Sequence, residues 1–216
     1  MPVAGQPAPE AAAAEAAPPP SSAPARPPLV LASGSPRRLD LLRRIGVVPA
    51  RVRPPEIDEA PLKQELPRQL AARLSEAKAR AVMAAEPGAL VLAADTVVGA
   101  GRRILPKAET ETEARSCLAL LSGRRHRVFT GVALGLPDGR LLTRLVQSIV
   151  TFQRLTPAQI EAYVASGEWR GKAGGYTIQE SAEAFVRFLS GSHSNVVGLP
   201  LYETAQLLRG IGWLRP

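Results

Sequence analysis

At 216 residues, 45% apolar and 21% charged, the chain is long enough for one domain with a sizeable core. Its formal net charge of +8 points to anionic partners, while an aromatic content of 4% leaves few stacking platforms for single-stranded nucleic acid, which is not an expected partner. The lone cysteine, Cys117, excludes an intrachain disulfide and suits a reducing compartment, the cytoplasm. The two histidines exclude a histidine-rich metal site, and no apolar run reaches the length of a membrane span.

Residues 1–28 are rich in Ala, Pro and Ser, with prolines from Pro2 to Pro28. That composition predicts a disordered tail outside the chemistry, leaving 29–216 as the folded domain. The apolar run Leu29–Ala32 predicts a buried strand. The turn Ser33-Gly34-Ser35 follows, and a helix opens with Ser35 as N-cap and Pro36 at its first position. Leu39, Leu42 and Ile45 repeat at helical spacing and Gly46 supplies the stop. The free N–H groups and positive dipole end of such a helix, beside Ser33, Ser35, Arg37 and Arg38, make an anion site for phosphate. The competing reading is an ordinary capped helix with two solvated arginines.

Residues 50–53 read as a short strand, and Glu56-Ile57-Asp58-Glu59 as an acidic cluster on the loop beyond Pro54-Pro55. A helix is predicted over about 67–85, with Leu70, Leu74, Ala77, Ala81 and Met83 or Val82 inward. On that spacing Lys78 reads as a solvated lysine. Residues 89–94 read as a central strand ending at Asp95-Thr96. Ligands of open α/β sheets gather at strand carboxyl ends, so Asp95 is either a metal-binding or basic carboxylate or a turn aspartate. Val97-Val98, a Gly-Ala-Gly turn and Ile104-Leu105 predict a hairpin that carries Lys107 back toward the site.

Thr110 and Glu113 form a capping box that opens a helix with Ala114, Cys117, Leu118 and Leu121 on one face, which makes Cys117 a buried, inert thiol. The stretches 126–136 and 141–153, joined by Pro137-Asp138-Gly139-Arg140, predict a long antiparallel hairpin. Thr156 and Gln159 make a second capping box, and that helix runs to Gly167. A glycine-bearing basic loop from Lys172 to Gln179 follows, then a strand over 184–189. Asn195-Val196-Val197-Gly198-Leu199-Pro200 turns into a last helix with Leu201, Ala205 and Leu208 apolar.

The polar groups that punctuate these runs form a set. Ser33, Ser35, Arg37, Arg38, Lys78, Lys107 and Lys172 suit phosphate oxygens, and Glu59 and Asp95 suit a divalent cation. Phosphate anhydrides and esters are already negatively charged, so their hydrolysis calls for cations on the oxygens, a hard metal on carboxylates and an activated water. Mg²⁺ fits one or two carboxylates plus substrate phosphates. Taken singly, each member has a plain structural alternative.

Leu31-Ala32-Ser33-Gly34-Ser35-Pro36-Arg37-Arg38, Ile57-Asp58-Glu59, Lys78-Ala79, Ala94-Asp95-Thr96-Val97-Val98, Leu121-Ser122-Gly123 with His126, Lys172-Ala173-Gly174-Gly175-Tyr176-Thr177-Ile178-Gln179 and Asn195-Val196-Val197-Gly198-Leu199-Pro200-Leu201 together resemble the Maf family, in its order and over about 29–210. The resemblance implies an α/β, two-lobed mixed sheet flanked by helices with a central cleft, as in the inosine triphosphate pyrophosphatases. It implies a nucleoside triphosphate pyrophosphatase that clears dTTP, UTP and modified pyrimidine nucleotides to monophosphate and pyrophosphate. In that scheme Ser33, Arg37 and Arg38 bind the triphosphate, joined by Lys78 and Lys107, and Gln179 helps bind the nucleotide. Glu59 and Asp95 form the acidic pair that holds Mg²⁺ or Mn²⁺, with Asp95 as general base or metal ligand. A homodimer is also implied. The alternative is a catalytically weak nucleotide-binding regulator of septum formation. The chain departs from the family's pattern at Pro106-Lys107-Ala108, where Gly-Lys-Pro is usual, at Glu180, where glycine is usual, and at Glu168-Trp169-Arg170. A changed approach of Lys107, and either weakened triphosphate binding or an altered base preference beside Glu180, are the expected consequences.

Overall fold

The computed structural model describes residues 26–215; the greater part of the segment read as a tail lies outside the described residues. Pro27 and Pro28, at its end, already belong to the fold: Pro28 O accepts from Leu90 N at 2.9 Å, and Pro27 O accepts from the Trp213 indole at 2.9 Å. The apolar run forms β1 (Leu29–Ala32), followed by α1 (Pro36–Arg44), β2 (Arg51–Val52) and α2 (Pro67–Met83). Next come β3 (Leu90–Ala100), β4 (Arg103–Leu105), β5 (Lys107–Ala108) and α3 (Glu111–Leu121). The hairpin β6 (Arg125–Gly135) and β7 (Leu141–Phe152), then α4 (Pro157–Ser166) and β8 (Lys172–Ala173), follow. A 3₁₀ turn (Ser181–Phe185), β9 (Val186–Ser190), α5 (His193–Val197) and α6 (Leu201–Gly210) end the described chain.

Seven strands form one mixed sheet in the order β2-β1-β3-β6-β7-β9, with β4 paired to β3, and β5 and β8 form a separate two-stranded ladder. The fold is thus α/β, with mixed sheets flanked by helices. The β1–β3 pair is parallel, and β3–β6, β6–β7 and β7–β9 are antiparallel. Strand alternation divides the core. Leu90, Leu92 and Ala94 of β3 pack with Leu41 and Leu42 of α1 and Leu207 and Leu208 of α6. Val91 and Ala93 face the other way, against Ala79 and Val82 of α2. A further cluster joins α3, α4 and the aromatic residues Phe152, Trp169 and Tyr176 at the far end of β3, β6 and β7.

Both capping boxes form, as do the β3–β4 and β6–β7 hairpins. Cys117 is buried, and desolvation pushes its thiol pKa up, as an inert thiol requires. Four local expectations are corrected. Ser35 stands at the N-cap but makes no side-chain capping bond; its own N–H donates to Ser33 Oγ at 3.2 Å. On α2 the buried stripe is Leu70, Ala71, Leu74, Ser75, Lys78, Ala79 and Val82, whereas Ala81 is exposed. The strand expected over 184–189 begins at Val186, since Ala184 and Phe185 belong to the 3₁₀ turn. Asp95 is not at a strand end: β3 runs five residues past it to Ala100. The strand that ends there is β1, whose last paired residue, Ala32, sits opposite Ala93.

Candidate active site

Where β1 stops, β3 continues beside an open flank. Asp95 and Thr96 stand on that stretch, and alternation sends them to opposite faces of the sheet. Asp95 lies on the α2 side. Its antiparallel partner is Gly131, where a Cβ would fall 2.3 Å from Ala71 O. Only glycine lets α2 approach so closely, and that approach delivers Lys78 to Asp95. Lys78 Nζ donates to Asp95 Oδ1 at 2.6 Å and lies 2.7 Å from Glu59 Oε1. The reading of Lys78 as a solvated lysine is therefore wrong, for its side chain is 7% exposed and that of Asp95 is 4% exposed.

Glu59 reaches in from the loop after β2 and also accepts from Lys107 Nζ. Burial pushes the Glu59 carboxyl up. The hydrogen bonds and charges of Lys107 and Lys78 outweigh that and hold its pKa at about 2, so it is a carboxylate throughout the physiological range. Lys107 is brought to this point by β5, whose ladder with β8 pairs Lys107 with Ala173 and Ala108 with Lys172. Pro106 keeps its carbonyl in use, accepting from Gly174 N at 2.9 Å, and Ala108 is fully buried. With the departure from the usual Gly-Lys-Pro in place, Lys107 is in contact with Glu59 of the acidic pair.

On the opposite face, Thr96 meets Arg38 from α1. Arg38 donates Nε to Gly198 O at 2.8 Å, Nη1 to Ser33 Oγ at 3.0 Å and Nη2 to Thr96 Oγ1 at 3.3 Å. Gly198 holds φ at +135°, a region L side chains rarely adopt, and so turns its carbonyl onto the guanidinium. Desolvation lowers the Arg38 pKa, while the charges of Asp95 and Glu59 oppose that fall and Arg37 adds to it. Arg37 is lowered by burial too, against the pull of Glu180, and its buried Nε has no hydrogen-bond partner. Lys172 is lowered first by burial and then by the Arg37 charge, with Glu180 and Glu109 opposing.

These groups line one cleft of about 670 Å³. Ser33, Ser35, Arg37, Arg38, Glu59, Lys78, Asp95, Lys107, Lys172 and Gln179 all face it, so every residue singled out from the sequence comes to the same cavity. Thr96, Arg170, Thr177 and Glu180 line it as well. Of these, Arg170 and Thr177 enter the sequence reading only as members of longer segments and not as site residues, because an exposed arginine and a loop threonine have no periodicity to violate. The cleft is strongly cationic on its walls, with one acid pair at its floor. Among the described residues no group of three or more His, Cys, Asp or Glu is arranged to hold a metal. Glu59 and Asp95 nonetheless present hard oxygen donors that converge on a single cation, here the Lys78 ammonium, and two carboxylates plus phosphate oxygens are a set that Mg²⁺ accepts.

No helix among the described residues is long and apolar enough to cross a membrane. The structure of a HAM1 protein from Coxiella burnetii aligns with 86% of this chain and all of its own, at 16% identity and a TM-score of 0.48, a likeness too slight to support an argument. Sequence comparison is decisive. A dTTP/UTP pyrophosphatase of Novosphingobium aromaticivorans is 65% identical over 186 residues, covering 86% of this chain and 92% of the relative. One from Caulobacter vibrioides is 62% identical over 189 residues, covering 88% and 98%. The profile described as Maf-like protein matches residues 28–211, and the chain belongs to the Maf family.

Proposed function

We propose that this protein hydrolyses dTTP, UTP and modified pyrimidine nucleoside triphosphates to the monophosphate and pyrophosphate. The observation that carries the reading is the convergence of Arg37, Arg38, Lys78, Lys107 and Lys172 around the Glu59–Asp95 pair in one cleft. A volume of about 670 Å³ suits a nucleotide, and such a charge pattern suits a triphosphate better than any neutral ligand. The names borne by the Novosphingobium and Caulobacter relatives support the same substrates. The division of the core into separate helix-packed clusters favours the two-lobed, inosine triphosphate pyrophosphatase-like description, within one catalytic domain that takes in Pro27 and Pro28 as well as the residues from 29 onward.

The reaction is attack of water on the α-phosphorus with rupture of the α–β anhydride bond. Asp95 takes the proton of the attacking water: one of its oxygens is held by Lys78, which fixes the carboxylate's orientation and leaves the other oxygen for the water. Arg37, Arg38 and Lys172 hold the β- and γ-phosphates and meet the charge that develops on the leaving pyrophosphate. Ser33 and Ser35 donate hydroxyls at the head of α1, and Gln179 faces the nucleoside. Glu59 and Asp95 would hold Mg²⁺ or Mn²⁺, which when bound neutralises charge on the phosphate oxygens. Lys78 and Lys107 line the same cleft, and each keeps a further ammonium N–H for the triphosphate while it stays beside its acid. The test is a nucleotide panel assayed for pyrophosphate with Mg²⁺ or Mn²⁺. Pyrophosphate from dTTP and UTP is expected; orthophosphate in its place would overturn the reaction, and tight binding without turnover would favour the regulatory alternative.

A further inference from the structure

We infer that Thr130 and Asn195, neither of which touches the cleft, are positioning residues that hold the Arg38 guanidinium in its working orientation, an inference that rests on the pyrophosphatase reading. Arg38 spends an N–H from each of its three nitrogens on protein acceptors and keeps one further N–H on each Nη for an anion. Where those last donors point is therefore set by the acceptors. Two of the three acceptors, Thr96 Oγ1 and Gly198 O, are in turn governed from behind.

Thr130 stands opposite Thr96 on β6 and is fully buried. Its hydroxyl donates to Asn195 O at 2.9 Å, so its lone pair is what faces Thr96 Oγ1 at 3.0 Å. Thr96 has one hydroxyl proton and two acceptors in reach, Thr130 Oγ1 at 3.0 Å and Gly198 O at 3.4 Å; the shorter bond takes it, and either choice leaves a lone pair of Thr96 for Arg38. The order of donors along the chain is fixed by the carbonyl at its end. Asn195, fully buried, anchors that carbonyl. Its Nδ2 donates to Val128 O at 3.2 Å and to Ser148 Oγ at 3.0 Å, and Ser148 Oγ donates to Ser192 O at 3.0 Å. Ser192, three residues before Asn195, caps the short helix α5, and Gly198, which offers its carbonyl to Arg38, ends that helix. One buried amide thus steadies both acceptors, Thr96 through Thr130 and Gly198 through α5.

The test is a double-mutant cycle of Thr130→Val against Arg38→Lys, with Thr130→Ser as the conservative control. If Thr130 acts through Arg38, Thr130→Val lowers kcat for dTTP about tenfold and raises KM about threefold, as misdirecting a donor that serves both the bound triphosphate and the transition state does. Thr130→Ser keeps kcat within about twofold of wild type, and in the Arg38→Lys background Thr130→Val adds no more than about twofold. Ser148→Ala, at the far end and milder for folding, lowers kcat about threefold by the same logic. The same cycle read by calorimetric binding of tripolyphosphate shows weakened binding on Thr130→Val only when Arg38 is present. A wild type that releases no pyrophosphate would defeat the pyrophosphatase reading alone, since the tripolyphosphate cycle still decides the positioning. An unchanged kcat in Thr130→Val, or the full loss recurring on Arg38→Lys, would overturn the inference.

Discussion

Asp95 Oδ1 accepts from Lys78 Nζ at 2.6 Å, in a pair whose side chains are 4% and 7% exposed. One position along the same strand, Thr96 faces the other side of the sheet and accepts from Arg38. Two successive residues of β3 therefore grip two cations from two helices, and the cleft opens between them. A neutral side chain at 95 removes both the proton acceptor and the counter-charge of Lys78. Asp95→Asn is expected to lower kcat by about 10³-fold, within the range of a lost general base, with the far-ultraviolet circular dichroism of wild type. Turnover near the wild-type rate would reject Asp95 as the base.

Lys78 occupies the point at which Glu59 and Asp95 converge, so a divalent cation must compete with its ammonium. Removing the ammonium without removing the acids turns that competition off. Lys78→Met is predicted to bind Mn²⁺ about tenfold more tightly than wild type when no nucleotide is present, since one positive charge no longer opposes the ion. Without the metal it should be less stable by about 3 kcal/mol, because two carboxylates lose their buried partner. Titration calorimetry and thermal melts with and without Mn²⁺ measure both. Unchanged or weaker Mn²⁺ binding would show that the two acids do not form the metal's seat.

Much of this arrangement is legible in the sequence, and the misreadings have physical causes. Thr110, Glu113, Thr156 and Gln159 announce two helix starts because capping is local chemistry. The lysine of α2 was hidden by its neighbours: Ala77 and Ala81 look apolar and draw the inward stripe one residue off the Ala71, Leu74, Ser75, Lys78 line, so a buried cation read as solvent-facing. Nothing in the run 89–94 says that its parallel neighbour stops first. Asp95 therefore looked like the end of its own strand when it marks the end of β1. Thr130 gave no signal at all, and Asn195 entered only as the first residue of a segment that resembles the family, with no role attached. A threonine in a β-rich run and an asparagine in a turn are ordinary residues until tertiary contacts show what their hydrogen bonds serve.

Acid lability should come in two separate windows. His126 is 1% exposed, bonded through Nε2 to the Tyr176 hydroxyl at 2.9 Å, and burial alone lowers its pKa from 6.5 to about 4. Between those values the unfolded chain carries a proton that the folded chain does not. Stability is therefore complete above 6.5 and falls as the pH drops toward 4, by about 3 kcal/mol in all. Glu59 acts lower, its contribution being present above 4.5 and lost as the pH falls toward about 2. Urea unfolding at pH 7 and pH 4.5 should show the first loss in wild type and a shallower one in His126→Gln. Equal slopes in the two proteins would remove His126 as its source.

Glu180 faces the cleft where relatives of this family usually carry glycine, and its backbone, with φ at −118°, has no need of one. Its charge acts on Arg37 and Lys172, the same cations assigned to the β- and γ-phosphates, so it competes with the substrate for them. The competition runs between the exposed Glu180 and the half-buried Arg37 and Lys172 across an open cleft, and is screened by salt. Glu180→Gln removes the charge while leaving the backbone alone, and it is predicted to lower KM for dTTP about fivefold at low ionic strength, with kcat within about twofold. Raising the salt should shrink that gain, because screening weakens the wild-type repulsion first. A KM that stays unchanged at low salt would mean that Glu180 points its charge away from the bound triphosphate, and that its replacement of glycine carries no penalty for this chain.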